Sequence, residues 1–418
     1  MADTCVVGEQ PVYLSTSRGT CRRCRRMVPV RYMADGAGVY LERLCPEHGK
    51  ARAQVAESLA WYLEALAESA AARPPKRVVP RVGQCPSSCG PCGFHAQQCN
   101  LPVFSITNGC NLSCPICFTY NRADKTYNMS KEEFERHLDF VVDATGGVDL
   151  VNVTGGEPTT HPRLLELLEC AKRPEIGRIT LNSNGLILAR DPDLARQLAE
   201  LGVYVVLSLN TLDPATSVRL HGRDITREKR QALENLQRFS VQTTLLMVLA
   251  GGVNEGDLKD LLDQLTAHDF VRSLTVQTMT YTGQGGGAFL PRQHIPVDGV
   301  ERRIAEASGA RIRLDHFMPL PTAHPLCYGV AYFIADDRGA LHGMTDLLDP
   351  SVLSSHLSDG YLLRPSAALE VELKLAIDRL WSQGDSPRML ATLKHMLQTI
   401  YPVSESLSPH ERQRRAEK

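Results

Sequence analysis

Cys110-Asn-Leu-Ser-Cys114-Pro-Ile-Cys117, with Thr154-Gly155-Gly156-Glu157-Pro158 downstream of it, decides how this chain is read. The first segment is a C-x3-C-x2-C loop, which supplies three thiols and no fourth within reach. A structural zinc ion is closed by four protein ligands, and a [4Fe–4S] cube ordinarily takes one thiolate per iron. Three thiolates leave one iron open to an outside ligand, as a reactive site does and a structural one does not. The loop follows Pro102-Val-Phe-Ser-Ile-Thr107, an apolar, β-branched run that predicts a strand. It precedes a helix opened near Ser130 by the capping sequence Ser-Lys-Glu-Glu.

Downstream the pattern alternates. Strands are expected at 149–153, 178–181, 203–208, 243–248 and 273–277, with amphipathic helices at 132–144, 164–172, 192–201, 227–239 and 255–267. Repeated strand–helix units of about 30 residues imply parallel strands joined by right-handed crossovers. Six strands from residue 103 are fewer than the eight of a closed barrel, so the fold class is α/β with a partial (β/α)6 barrel. Functional groups belong at the carboxyl ends of such strands. There the sequence places Thr154-Gly-Gly-Glu-Pro158, Asn182-Ser183-Asn184-Gly185 and Ser208-Leu-Asn210-Thr211. Turns of Gly, Asn and Ser are common for backbone reasons alone. Falling in order behind the cysteine loop, these three reinforce one another.

The 418 residues carry a net charge of −1, with 43% hydrophobic and 22% charged residues. That balance argues against a nucleic-acid binder driven by long-range attraction. No run reaches the roughly 18 apolar residues that span a bilayer, and the first residues lack the regions of a secretory signal. A cytoplasmic location is therefore expected, in which thirteen cysteines favour metal binding over disulfides. All but Cys170 and Cys327 precede residue 118. Cys21-Arg-Arg-Cys24 with Cys45-Pro-Glu-His48 matches the knuckle spacing of a small ribbon, for zinc or a single rubredoxin-like iron. Cys85, Cys89, Cys92 and Cys99, with His95 among them, fit a fully ligated auxiliary [4Fe–4S] cluster, or a second zinc site. Cys327 is an alternative fourth ligand to that cluster. Cys170, on the apolar face of an expected helix, reads as a small buried hydrophobe.

The Cys110–Cys117 loop followed by Thr-Gly-Gly-Glu-Pro resembles the radical S-adenosylmethionine superfamily over about residues 100 to 290. The resemblance implies an open iron that binds the amino and carboxylate groups of S-adenosylmethionine. It implies that Gly155, Gly156 and Glu157 meet the methionine ammonium, and that Ser183, Ser208 and Asn210 face the ribose or carboxylate. Val253 and Phe118 would lie near the adenine. Reductive cleavage would then yield a 5′-deoxyadenosyl radical, with a flavodoxin- or ferredoxin-type carrier as the implied electron donor. The cysteine run from Cys85 to Cys99, and Pro319-Leu-Pro-Thr-Ala-His324-Pro-Leu-Cys327, resemble the archaeal tetraether lipid synthase group. That group also contains proteins proposed to methylate pterins with a methylene-folate-type donor. This chain is shorter than the lipid couplers, and its C-terminal half has too few cysteines for a third cluster.

The expected organisation is a metal module at 1–60, a linker helix and auxiliary cluster loop at 61–100, the partial barrel at 101–290 and a C-terminal α/β extension at 291–418. Expected chemistry is hydrogen abstraction from an unactivated C–H of a small-molecule or lipid substrate, for C–C bond formation or methylation. Peptide or natural-product modification is the alternative within the class. A non-catalytic zinc-binding protein, either RNA-binding or a scaffold, is the alternative outside it. His316 and His324, flanking a proline-rich turn, are candidate catalytic residues. Tyr281-Thr-Gly-Gln-Gly-Gly-Gly287 is a glycine loop that either covers the substrate or merely connects. A long apolar barrel lining would favour a lipid substrate, and convergent polar groups a pterin or nucleotide.

Overall fold

Alternating burial along six strands builds the centre of the molecule. In the computed structural model, which describes residues 10–67, 74–80, 92, 98–121, 125–320, 323–324, 326–357, 366–384 and 386–400, two main sheets form. The first is an antiparallel meander of β1 (Val12–Thr20), β2 (Met27–Asp35), β3 (Gly38–Cys45) and β4 (Gly49–Ala56). A helix, α1 (Leu59–Ala67), follows it.

The second sheet is parallel throughout and runs in sequence order: β5 (Val103–Ser105), β6 (Val151–Thr154), β7 (Ile179–Ser183), β8 (Tyr204–Ser208), β9 (Thr243–Leu249) and β10 (Val271–Thr278). The helices between them are α2 (Lys131–Thr145), α3 (Leu164–Cys170), α4 (Leu186–Arg190), α5 (Pro192–Leu201), α6 (Pro214–His221), α7 (Thr226–Arg238) and α8 (Leu258–Ala267). β5 and β10 are the two edges, so the barrel is partial, as the strand count implied. α5 is cut to length by its own sequence. The Asp191 side chain accepts from the first-turn amides of α5, Pro192 occupies its first turn, and Gly202 closes it at φ 68° in the left-handed region.

One face of every barrel strand packs on the helices. Val151, Val153, Leu181, Val205, Leu207, Leu245 and Met247 meet Leu167, Leu168, Leu198, Leu236 and Leu261 in one continuous core. The other face therefore lines the concave side. Cross-strand bonds there confirm the register: Thr180 donates to Asn152 Oδ1 at 3.1 Å, and the Thr244 and Ser273 hydroxyls meet at 2.8 Å.

The ribbon docks on α10 (Val297–Ala307), reached through the short helix α9 (Gly285–Ala288). The buried Asp298 carboxylate accepts from the Glu57 and Ser58 amides, each at 2.7 Å, and Trp61 donates to Glu301 at 3.0 Å. Two short antiparallel hairpins and the helices Ala367–Gln383 and Pro387–Ile400 make a C-terminal extension with its own apolar core. No helix among the described residues is long and apolar enough to cross a membrane.

Candidate active site

The loop after β5 carries Cys110, Cys114 and Cys117, all partly buried. Its entrance is fastened to the next strand end: Gly156 donates to the Thr107 carbonyl at 2.7 Å and Glu157 to that of Gly109 at 2.8 Å. A Cβ on Gly155 would lie 2.3 Å from the Thr107 oxygen, and one on Gly156 2.2 Å from the Gly109 oxygen. The sequence assigned these glycines to close approach by a ligand. The structure uses them for close approach by the cysteine loop, and so binds the two decisive segments into one unit.

The carboxylate of Glu157 is buried rather than presented. It accepts from the Thr159 amide (3.1 Å) and hydroxyl (2.5 Å), the Ser183 hydroxyl (2.8 Å) and the Asn184 amide (2.6 Å). Burial raises its pKa, and these donors partly offset the rise. Glu157 and Ser183 thus fix the ends of β6 and β7 against each other. Asn210, at the end of β8, is engaged too: its Oδ1 accepts from the Val248 amide at 2.8 Å, and its Nδ2 donates to His221 Nε2 at 3.1 Å. Ser208 is partly exposed and offers its carbonyl inward, as described below. Val253 packs with Ile116 of the cysteine loop, Leu220, Ala250 and Met279 in a small apolar wall. Phe118 is exposed.

Sequence reasoning missed Lys229. It is the one buried lysine or arginine among the described residues. From α7 its Nζ donates to the Asn184 carbonyl at 2.5 Å and to that of Ser208, the backbone groups that end β7 and β8. Burial brings its pKa down to about 8, opposed by the charges of Cys114 and Glu157. A signal was available, because Lys229 shares the i, i+3, i+4, i+7 stripe of Ala232, Leu233 and Leu236, all buried.

The cysteine loop differs in kind from the ribbon site. In the ribbon, the ligand atoms of Cys21, Cys24, Cys45 and His48 all lie within 4.8 Å of one another, with Cys24 and Cys45 sulfurs 3.7 Å apart. A tetrahedral ion bound at about 2.3 Å spaces its sulfurs by about 3.8 Å, so this donor set fits a closed single-ion site. Backbone hydrogen bonds from Cys24 and Arg23 lower the Cys21 thiol to about 6. Among the described residues no other set of three or more donors is as tight. Cys110, Cys114 and Cys117 do not form such a single-ion set, and thiolates of a cube sit on separate irons. Burial drives Cys114 up to about 12 and also raises Cys110, so the thiols need metal charge to ionise. Asn121 Nδ2 reaches Cys117 Sγ at 3.7 Å and the Thr119 hydroxyl lies 3.3 Å from it, contacts that suit a ligating sulfur. The residues fit the cube.

The glycine loop is no free connector. Gly285 donates to the Cys117 carbonyl at 2.9 Å, and a Cβ on Gly283, at φ 58°, would strike the Phe118 backbone at 2.3 Å. Arg22 of the ribbon knuckle lies over the Tyr281 ring, 4.9 Å from its centroid. Ribbon, glycine loop and cysteine loop therefore touch in series.

The remaining expectations fall elsewhere. Cys85, Cys89 and His95 lie outside the described residues; Cys92 is buried, while Cys99 and Cys327 are exposed. Cys170, read as a buried hydrophobe, is partly exposed and donates to Glu135 at 3.4 Å. His316 is buried in the C-terminal extension, with Nε2 3.1 Å from Asp346 and Nδ1 accepting from the Arg313 amide. Both ring nitrogens are used, and no partner belongs to the barrel mouth. His324 accepts from the Leu326 amide at 3.3 Å within its own turn.

The concave face of the barrel is mainly polar: Asn152 and Thr154, Thr180 and Asn182, Thr244, then Ser273, Thr275 and Gln277. Val206, Leu246 and Val248 supply its apolar part on β8 and β9. The Asn182 side-chain oxygen is buried without a hydrogen-bond partner.

Residues 104–265 match the family model described as the Radical SAM superfamily, so the chain carries a radical SAM domain. Residues 13–57 match the HMPTM N-terminal zinc ribbon domain. A 7,8-dihydro-6-hydroxymethylpterin dimethyltransferase of Methanocaldococcus jannaschii is 23% identical over 331 residues, covering 77% of this chain and 64% of that protein. A GTP 3′,8-cyclase of Chlorobaculum tepidum is 30% identical over 178 residues, covering 42% of this chain and 51% of that protein. The chain thus spans less than two thirds of either relative. Among solved structures, a methylornithine synthase aligns over 73% of this chain and 87% of its own, at 16% identity and a TM-score of 0.40.

Proposed function

We propose that this chain is a radical SAM methylase of a polar heterocycle, a reduced pterin being the substrate class that fits best. The observation that carries the reading is the concave barrel face, where amide and hydroxyl side chains outnumber aliphatic ones. A lipid chain would leave the unpaired ones among them, the Asn182 oxygen above all, desolvated without a partner, at about 1–3 kcal/mol each. A pterin ring, edged with alternating donors and acceptors, would satisfy them. The similarity to a protein named as a pterin dimethyltransferase supports the same choice.

When bound, the cube and S-adenosylmethionine supply one-electron cleavage of the sulfonium and removal of hydrogen from an unactivated C–H bond. Cys110, Cys114 and Cys117 hold three irons. The Gly155–Glu157 turn and the ends of β7 and β8 frame the methionine end of the cofactor, while Val253 and Ile116 offer an apolar wall for the adenine. The glycine loop, bonded to the Cys117 and Thr119 carbonyls, keeps water from the cysteine loop. The ribbon set of three thiolates and one imidazole holds zinc in a structural role, since rubredoxin-like iron takes four thiolates. Cys85, Cys89, Cys92 and Cys99 hold the auxiliary cluster, and a low-potential flavodoxin- or ferredoxin-type protein supplies electrons.

The test is anaerobic reconstitution with iron and sulfide, then reduction by dithionite with S-adenosylmethionine and a methylene-folate-type compound as carbon donor, in the presence of 6-hydroxymethyl-7,8-dihydropterin or of a phospholipid. Pterin-dependent 5′-deoxyadenosine and a pterin heavier by one or two methyl groups are expected. Turnover that responds to the lipid and not to the pterin would overturn the assignment.

A further inference from the structure

Every other lysine and arginine described reaches solvent, whereas Lys229 is 1% exposed and sits beneath the strand ends of the active site. Burying an ammonium costs far more than burying the methionine or leucine that the apolar stripe of α7 would otherwise hold. Filling space does not explain it. Its two acceptors are informative. The Asn184 and Ser208 carbonyls belong to adjacent strands, and Asn184 is the residue whose amide binds Glu157. One nitrogen therefore ties the ends of β7 and β8 to the Glu157 cluster, which is itself bonded to the cysteine loop.

The charge is equally placed. Cys114 and Glu157 are the negative groups whose fields reach Lys229 most strongly, and Lys229 in turn acts on Cys114 and on the buried His221. His221 is held neutral by its burial and by the field of Lys229, against an opposing backbone hydrogen bond at Ser217, so it contributes no competing positive charge. Glu228, on the same helix, adds a weaker negative field. Cys114 of the cluster loop and the Glu157 carboxylate would face a single fixed cation.

We propose that Lys229 is a positioning residue of the radical site, its ammonium clamping the ends of β7 and β8 and supplying the fixed positive charge that lets the Cys110–Cys117 cluster accept an electron. A fixed cation beside a redox centre favours the reduced form, so removing it makes reduction harder. The step concerned is a one-electron reduction of the cluster with no bond formed or broken, the electron coming from the low-potential carrier or, in the test, from dithionite. The inference does not depend on which substrate the barrel takes.

The test uses the full chain, reconstituted anaerobically as wild type, Lys229→Met and Lys229→Gln. Methionine keeps the length and removes the charge; glutamine keeps one donor for the carbonyls and also lacks the charge. Iron and sulfide content and the thermal midpoint report folding. The cluster potential is read by dithionite titration followed by electron paramagnetic resonance, and S-adenosylmethionine binding by equilibrium dialysis. Both variants should load iron, yet the reduction equilibrium should fall at least tenfold, about 59 mV for a one-electron couple. S-adenosylmethionine affinity should fall by a similar factor in the methionine variant, and less in the glutamine variant. An unchanged potential in either folded variant would overturn the proposal and leave Lys229 as packing. If the methionine variant does not fold, the glutamine variant alone decides by the same criterion.

Discussion

Replacing Gly156 by alanine tests whether the two decisive sequence segments form one mechanical unit. The new Cβ would lie 2.2 Å from the Gly109 carbonyl oxygen, 2.7 Å from its carbon and 2.9 Å from the Asn108 oxygen. All three are backbone atoms of the cysteine loop, so no side chain can swing away. The loop must move, which loosens the Gly156-to-Thr107 and Glu157-to-Gly109 hydrogen bonds. Overpacking of this kind costs about 1–3 kcal/mol, and two backbone bonds add about 0.5–1.5 kcal/mol each. A total near 4 kcal/mol would lower the melting temperature of the barrel by roughly 10 °C, at about 2–4 °C per kcal/mol for 150–250 residues. The assay is thermal unfolding by circular dichroism, paired with iron and sulfide content after reconstitution. The expected result is a lower midpoint together with poor cluster loading. Wild-type stability and full iron loading in Gly156→Ala would refute the reasoning.

Other consequences follow from single contacts. Burial holds the Glu301 carboxyl near 7 against an ordinary 4.5, with the Trp61 hydrogen bond opposing the rise. The native state thus keeps a proton that the unfolded chain releases, and the stability contributed is full below about 4.5 and lost as pH rises through about 7. Ribbon docking, followed by tryptophan fluorescence, should weaken over that interval in the wild type and weaken less in Glu301→Gln, where only the buried Asp298 carboxyl still titrates; identical curves would exclude Glu301. Asn182→Leu removes the unpartnered acceptor on the concave face, so it should preserve folding while raising the KM for a pterin by about tenfold, the worth of one hydrogen bond. An unchanged KM would place the substrate elsewhere. Cys45→Ala should abolish stoichiometric zinc, measured by plasma mass spectrometry, and full zinc retention would contradict a four-ligand ribbon site.

The barrel was legible because its strands alternate cleanly and its helices carry their own stops. Pro192 and Gly202 bound α5 at the residues the pattern named. α4 and α6 were not anticipated: five and eight residues give too little periodicity, and Asn184-Gly185 reads as a strand-end turn. The cysteine motifs could be grouped by spacing alone, since ligand spacing is a local property. Lys229 and the carboxylate of Glu157 could not be placed in the same way. Within Thr226-Arg-Glu-Lys-Arg a lysine looks like a solvated side chain, and only the neighbouring strand ends show what it bonds. The donors to Glu157, the Ser183 hydroxyl and the Asn184 amide, come from the end of the next strand, which the sequence alone does not place beside it. The two histidines stood out in a proline-rich turn, and for His316 the ring is consumed by Asp346 and the Arg313 amide, groups the sequence does not bring together.

The central claim is that Cys110, Cys114 and Cys117 hold a cluster with an open iron. It is tested most directly by following 5′-deoxyadenosine in the anaerobically reconstituted full chain, reduced with dithionite in the presence of S-adenosylmethionine, beside Cys114→Ala treated identically. The wild type should form 5′-deoxyadenosine and the variant none above background. Undiminished formation by Cys114→Ala, or none from a fully loaded and reduced wild type, would contradict the account.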